Sequence, residues 1–166
     1  KPFSTLTGNG CHMHISLWSK DGKNLFEDSK DPMGLSKLGY QFIAGLMNSA
    51  EALTAITNPT VNSYKRINAP RTTSGATWAP NTVTYTGNNR THMIRIPEAG
   101  RFEFRLADGA ANPYAMEAAV LTAGLEGHRA EARSGRAPRH RYVCRGAQGE
   151  GCEEVAAQSA RRAPRA

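Results

Sequence analysis

Residues 101–106, Arg-Phe-Glu-Phe-Arg-Leu, alternate charged and apolar side chains without a break. Successive side chains of a β-strand point to opposite faces. The alternation therefore predicts a strand with Arg101, Glu103 and Arg105 on one face and Phe102, Phe104 and Leu106 on the other. The same period recurs over residues 11–18, where His12, His14 and Ser16 alternate with Met13, Ile15 and Leu17. A charged stripe backed by an apolar stripe sets a polar site on a dry core. Two such strands carrying His, Glu and Arg point to a metal-and-anion site.

The remaining chain reads in the same way. Leu38, Phe42, Leu46, Ala50 and Leu53 recur at three- and four-residue spacing and predict one long helix over 34–57, ended by Asn58-Pro59. Residues 20–23 form a turn around Asp21-Gly22. Residues 82–86 and 92–96 read as hairpin strands joined through the turn tripeptide Gly87-Asn88-Asn89. Asn112 as N-cap and Pro113 at the first helical position open a helix running to about residue 125. The polar stretch 62–80, rich in Thr, Pro and Gly, suits a binding loop. The expected class is α+β, with antiparallel strands carrying the site and helices flanking them.

Charge divides the chain. Of the net +7, residues 1–127 hold 12 Lys+Arg against 10 Asp+Glu, giving +2, and residues 128–166 hold 9 Arg against 4 Glu, giving +5. The excess belongs to the tail, which contains no Leu, Ile, Phe, Met or Trp and is expected to be disordered or irregular. Three cysteines, Cys11, Cys144 and Cys152, make no disulfide framework, and their odd count suits a reducing compartment such as the cytoplasm. No apolar run is long enough to span a bilayer. A start at Lys1 with no Met is expected of a fragment.

Four motifs now stand in order: Gly8-Asn9-Gly10-Cys11-His12-Met13-His14-Ile15-Ser16-Leu17, Asn58-Pro59-Thr60-Val61-Asn62-Ser63-Tyr64-Lys65-Arg66, Asn89-Arg90-Thr91-His92-Met93-Ile94-Arg95-Ile96-Pro97 and Arg101-Phe102-Glu103-Phe104-Arg105. Ala110-Ala111-Asn112-Pro113-Tyr114 and Ala123-Gly124-Leu125-Glu126-Gly127 follow. Over about residues 7–127 the chain resembles the catalytic domain of the glutamine synthetase family.

That resemblance implies ATP-dependent ligation of glutamate to ammonia or a small amine through γ-glutamyl phosphate, with ATP and Mg²⁺ or Mn²⁺ as cofactors. By motif position, His12 and Glu103 match metal ligands. His14, Ser16, Arg95 and Arg101 match ATP contacts, and Gly8, Arg66 and Arg105 match glutamate contacts. Arg90 matches the arginine that stabilises the transferring phosphate. Each has a plainer reading: a surface histidine, a solvated carboxylate, a backbone-satisfied hydroxyl, a turn glycine, or a surface arginine with its stem packed down. Six arginines and no lysine between Arg66 and Arg105 weaken that reading for the set. The family also implies a homo-oligomeric ring, a dodecamer, with sites shared between subunits. Its N-terminal β-grasp domain and earlier metal carboxylates have no counterpart here. The 166-residue chain alone is thus expected to have little or no ligase activity.

Two departures bear on the acceptor. Trp78 stands before Ala79-Pro80, where the family carries an ammonia-handling Glu, and Thr7 stands where an Asn usually precedes Gly8. An aromatic wall suits an alkylamine, whose methyl group gains from burial and whose cation can meet a π face. The resemblance then points to the type III-like, glutamate–methylamine ligase branch. Trp78 as a structural flap anchor is the equal alternative.

The tail also admits a shift of frame. One base on, Arg133-Ser134-Gly135 can encode Asp-Pro-Gly, and 155–164 a leucine-rich, family-like segment. Residues 128–166 are therefore expected to be out-of-frame translation. Other classes are weaker. A non-catalytic glutamine-synthetase-like nucleotide-binding or interaction protein would lack the upstream metal carboxylates in its parent. A basic nucleic-acid-binding module would bind through the tail with steep salt dependence, and the body has no motif for it. A His-X-His metalloprotein such as a cupin leaves the arginine motifs unexplained.

Overall fold

The computed structural model describes residues 1–3, 5–67, 69 and 78–134. Eight elements follow in order: β1 (Met13–Ile15), α1 (Lys37–Asn48), α2 (Ala50–Thr57), α3 (Val61–Ile67), β2 (Tyr85–Thr86), β3 (Ile94–Glu98), β4 (Arg101–Phe104) and α4 (Pro113–Ser134). The strands form one sheet of order β1-β4-β3-β2, so the α+β expectation holds. β4 pairs antiparallel with β1 and β3, with His14 opposite Glu103 on one side and Arg95 opposite Glu103 on the other. A shift in register between Arg95 and Glu98 falls at Ile96-Pro97, where proline has no N–H to give the ladder. Gly100, at φ 74°, turns the chain from β3 into β4 in a conformation that L side chains rarely adopt.

The inner face of the sheet lies against α1 and α4. Phe102 stacks on Phe26 with centroids 5.8 Å apart, and Phe42 of α1 meets Phe26 edge-on at 5.5 Å. Phe104, Ile94 and Met93 extend this core, none more than 1 % exposed. The helices meet at backbone distance. A Cβ on Gly45 would sit 2.0 Å from the Ala123 carbonyl oxygen, and one on Gly124 would enter the Phe42 ring. Only glycine permits that approach.

Four readings need correction. The helix predicted over 34–57 is two helices. Ser36 caps α1, its Oγ accepting from the Gly39 N–H at 3.2 Å, and Ser49 both ends α1 and precedes α2. Asn48 and Ser49 compete for backbone hydrogen bonds and favour such a break. The predicted 82–86/92–96 hairpin is a short parallel pair, β2 with β3. Within the connection Asn89 Oδ1 accepts from the Thr91 N–H at 3.0 Å, and the chain returns before Ile94 so that both strands run the same way. The stretch expected to be a loop over 62–80 opens with α3; residues 68 and 70–77 lie outside the described residues. Finally, α4 continues past residue 125 to Ser134, and residues 128–134, assigned above to the irregular tail, are helical. Ala130, Glu131 and Ala132 are good helix formers. The rest of the tail, with Cys144, Cys152 and most of the frame-shift argument, lies outside the described residues. No described helix is long and apolar enough to cross a membrane.

The Gly45 contact yields a stability prediction. Gly45→Ala forces α1 and α4 apart and should cost about 1–3 kcal/mol, the usual range for overpacking. A lower midpoint in urea denaturation, with α-helical circular dichroism retained in water, checks it.

Candidate active site

The outer face of the sheet centres on Glu103. Its side chain is 5 % exposed, and both carboxylate oxygens are engaged. Oε2 accepts from Arg95 at 2.8 Å. Oε1 accepts from Arg105 at 2.8 Å and lies 3.0 Å from His12 Nδ1 and 3.9 Å from His14 Nε2. Burial pushes the Glu103 pKa up, but the Arg95 hydrogen bond and the Arg105 charge outweigh it and hold the carboxyl below its ordinary value. Desolvation, aided by the Arg105 charge, holds His12 below its ordinary value. A neutral His12 therefore meets an ionised Glu103. His12 Nδ1 faces an acceptor and a donor at once, the Glu103 carboxylate at 3.0 Å and the Arg105 guanidinium at 3.3 Å, while Nε2 turns toward the loop at Gly10.

Arginines tie this centre to distant chain. Arg105 donates from Nε to the Arg90 carbonyl at 3.1 Å and from its NH2 group to the Trp78 carbonyl at 3.3 Å. Arg66, buried on α3, donates to the Leu106 carbonyl at 2.8 Å and the Arg105 carbonyl at 3.0 Å. Arg95 donates from Nε to Asn88 Oδ1 at 2.7 Å. A Cβ on Gly10 would fall 2.6 Å from the Arg66 guanidinium and 3.0 Å from His12 Nε2, so glycine is required where that loop passes the two side chains.

These groups enclose a cavity of about 460 Å³. Nine of the residues singled out above line it: His12, Glu103, Arg66, Arg105, Arg90, Arg95, Trp78, Gly8 and Thr7. The other three do not. His14, Ser16 and Arg101 lie on the same sheet face, farther along the β1–β4 pair. Arg101 approaches His14 Nδ1 at 2.6 Å and pairs with Glu98 at 2.6 Å, while Ser16 Oγ accepts from Trp18 Nε1 at 3.0 Å. The strand period put them on the correct face and could not say where along it the cavity ends. Lys1, Asn9 and Gly10 also line the cavity and were not singled out; the Gly-Asn-Gly turn was the available signal for two of them. Lys1 is buried, and its ammonium donates to the Leu6 carbonyl.

The wall carries Lys1 and four arginines against the single carboxylate of Glu103, which suits anionic groups. Among the described residues no group of three or more His, Cys, Asp and Glu side chains is arranged to hold a metal ion. His12 and Glu103 together supply two donors, both in the unprotonated form that metal ligation demands. The pair fits part of a divalent-cation shell, with the remaining ligands coming from elsewhere.

Known proteins of similar sequence and shape show the family. The family model described as the glutamine synthetase catalytic domain matches residues 1–158. A glutamine synthetase of Rhizobium leguminosarum bv. phaseoli is 65% identical over 136 residues, 81% of this chain and 31% of that protein. A glutamate–methylamine ligase of Methyloversatilis universalis is 55% identical over 130 residues, 76% of this chain and 29% of that protein. A solved GmaS/ADP complex is 58% identical at a TM-score of 0.74, covering 86% of this chain and 32% of that one. The chain spans about a third of the length of the curated relatives it matches.

The two depressed histidines predict a pH dependence. His12 and His92 both sit below the ordinary 6.5 because of burial, so the unfolded chain takes up their protons first. Their contribution to stability is complete above about pH 6.5 and is lost as pH falls through their depressed values. The urea midpoint should drop between about pH 7.5 and about pH 5. His12→Asn should shrink that drop.

Proposed function

The chain belongs to the glutamine synthetase family, and from that premise we propose that its cavity is the glutamate and phosphoryl-transfer part of an ATP-dependent carbon–nitrogen ligase site. The observation that carries the reading is the convergence of Arg66, Arg90, Arg95 and Arg105 on one cavity whose floor is the buried Glu103. Such a wall favours two anions meeting at short range, as ATP and glutamate must.

Arg66 and Arg105 hold the glutamate carboxylate, with the Gly8 backbone beside it. Both guanidiniums are oriented by main-chain carbonyls, so little reorganisation is needed on binding. A γ-carboxylate oxygen of glutamate attacks the γ-phosphorus of ATP, ADP leaves, and γ-glutamyl phosphate forms. Arg90 lies on the cavity wall where it can meet the equatorial oxygens of the transferring group. Arg95, linked to Glu103, faces the phosphate chain, while His14, Ser16 and Arg101 receive the rest of the nucleotide farther along β1 and β4. The amine nitrogen then attacks the acyl carbon, a proton is lost, and phosphate departs.

His12 and Glu103 are the metal ligands on this chain. Bound Mg²⁺ or Mn²⁺ would neutralise phosphate charge and polarise the γ-phosphoryl group. The remaining ligands and the opposite wall come from outside these residues, in a homo-oligomeric ring. A cytoplasmic setting, in which ATP and glutamate are both supplied, is part of this proposal.

Trp78 sets the acceptor. Its carbonyl is held by Arg105, its ring is half-exposed on the cavity wall, and no carboxylate stands at that position to collect ammonium. Burying one methyl is worth about 0.8 kcal/mol, and a cation on a π face about 0.5–1 kcal/mol. The π face serves ammonium and methylammonium alike, so it is the methyl that favours methylamine over ammonia, by roughly fourfold.

Glutamate- and ATP-dependent turnover of the full-length enzyme tests both levels. The kcat/KM for methylamine should exceed that for ammonia by about fourfold, and Trp78→Glu should reverse the order. A strong ammonia preference in the parent enzyme defeats the acceptor assignment. In the same assay, Arg90→Ala should lower kcat by roughly 10²–10³ with little change in the KM for glutamate, as expected when a group stabilising developing charge is removed.

A further inference from the structure

Asn58, the residue after α2, is fully buried and lies outside the cavity wall. Its amide Nδ2 donates to the Leu106 carbonyl at 3.0 Å. The same oxygen accepts from Arg66 at 2.8 Å, and the second nitrogen of that guanidinium donates to the neighbouring Arg105 carbonyl at 3.0 Å. One carbonyl at the exit of β4 is therefore held from two sides, by an amide and by a cation that faces the cavity. The amide cannot flip without loss. The Leu106 carbonyl can only accept, so it assigns the nitrogen to its own side and turns the Asn58 oxygen to the Thr57 hydroxyl, 2.7 Å away and itself 2.9 Å from the Leu53 carbonyl. The Asp108 N–H donates to the Thr57 carbonyl at 2.9 Å, a second tie between the end of α2 and the segment after β4.

We infer that Asn58 is a positioning residue for glutamate recognition: through the Leu106 carbonyl it fixes where the Arg66 guanidinium and the Arg105 backbone sit. This rests on the reading of Arg66 and Arg105 as carboxylate contacts. With both lone-pair directions of the Leu106 oxygen occupied, neither the strand exit nor Arg66 can shift without breaking a buried hydrogen bond. An aspartate at position 58 reverses the arrangement. It offers Leu106 no donor, and its charge draws Arg66 toward α2 and away from the cavity. The nucleotide end of the site reaches this clamp only at a remove, His14 lying 3.9 Å from Glu103, which in turn accepts from Arg105.

The test is steady-state kinetics on the full-length enzyme carrying Asn58→Asp, Thr57→Val, Arg66→Lys, or the Asn58→Asp/Arg66→Lys pair. Asn58→Asp should raise the KM for glutamate roughly 10- to 100-fold, the scale of a displacement of about an ångström, with the KM for ATP within about twofold. Thr57→Val, which removes only the hydroxyl orienting the amide, should move the glutamate KM in the same direction by several-fold. It carries the test if Asn58→Asp does not fold. The double variant should fall well short of the product of the single effects, since both act on one guanidinium. Equal rises in both KM values, additive effects, or intact KM values with less active enzyme would reduce Asn58 to a purely structural role and overturn the inference. A glutamate KM that rises with Arg66→Lys but with neither Asn58→Asp nor Thr57→Val overturns the positioning role alone. No rise with Arg66→Lys overturns the carboxylate assignment beneath it.

Discussion

A carboxylate buried on the middle strand of a sheet is costly, and everything around Glu103 answers that cost. Taking an ion out of water is repaid only by close partners of opposite charge and by filled hydrogen-bonding positions. Glu103 has Arg95 on one oxygen, Arg105 on the other and His12 against the second of these, all within 3.0 Å. The partners come from β3, from the residue after β4 and from the residue before β1, so the ion cluster and the sheet pairing enforce each other. Loss of the pairing would strand the charge. Loss of the charge would leave two arginines facing each other on a buried surface.

β4 makes the arrangement possible because it serves two environments at once. Phe102 and Phe104 are fully buried in the core under the sheet, while Glu103 and Arg105 are buried in the ionic layer above it. The aromatic contacts with Phe26 and Phe42 make the strand a rigid floor, and the close crossing of α1 and α4 holds that floor from below. A site that must place phosphate and carboxylate next to each other gains from such rigidity, since its donors are already aimed before any anion arrives.

The arginines have a double part. Arg66 and Arg105 give hydrogen bonds to the carbonyls of Leu106, Arg105, Arg90 and Trp78, segments far apart in sequence, and still line the cavity. A lysine could not replace either one. Its point charge lacks the planar fork that holds two acceptors in fixed directions. The preference for arginine between residues 66 and 105 thus has a structural cause as well as an electrostatic one.

Much of this was legible from local pattern. The two-residue period at 11–17 and 101–106 assigned His12, His14, Glu103 and Arg105 to one face because strand geometry leaves no other choice. Asn112-Pro113 marked the start of α4 through capping chemistry, and the ordered motifs marked the family. What local pattern could not reach depended on contacts distant in sequence. The Ser49 break keeps the apolar spacing of a continuous helix, so periodicity passes over it. The parallel pairing of β2 with β3 depends on how the 87–93 connection returns the chain, which a turn tripeptide does not specify. The end of the cavity, short of His14, Ser16 and Arg101, is set by where Trp78 and the 7–10 loop close in. Asn58 was visible only as the stop of a helix, yet the fold seats it against the Leu106 carbonyl. Sequence specifies faces, caps and candidate charges because these follow from neighbours along the chain. Distances between charges, and which carbonyl each arginine takes, follow from packing and were decided only in three dimensions.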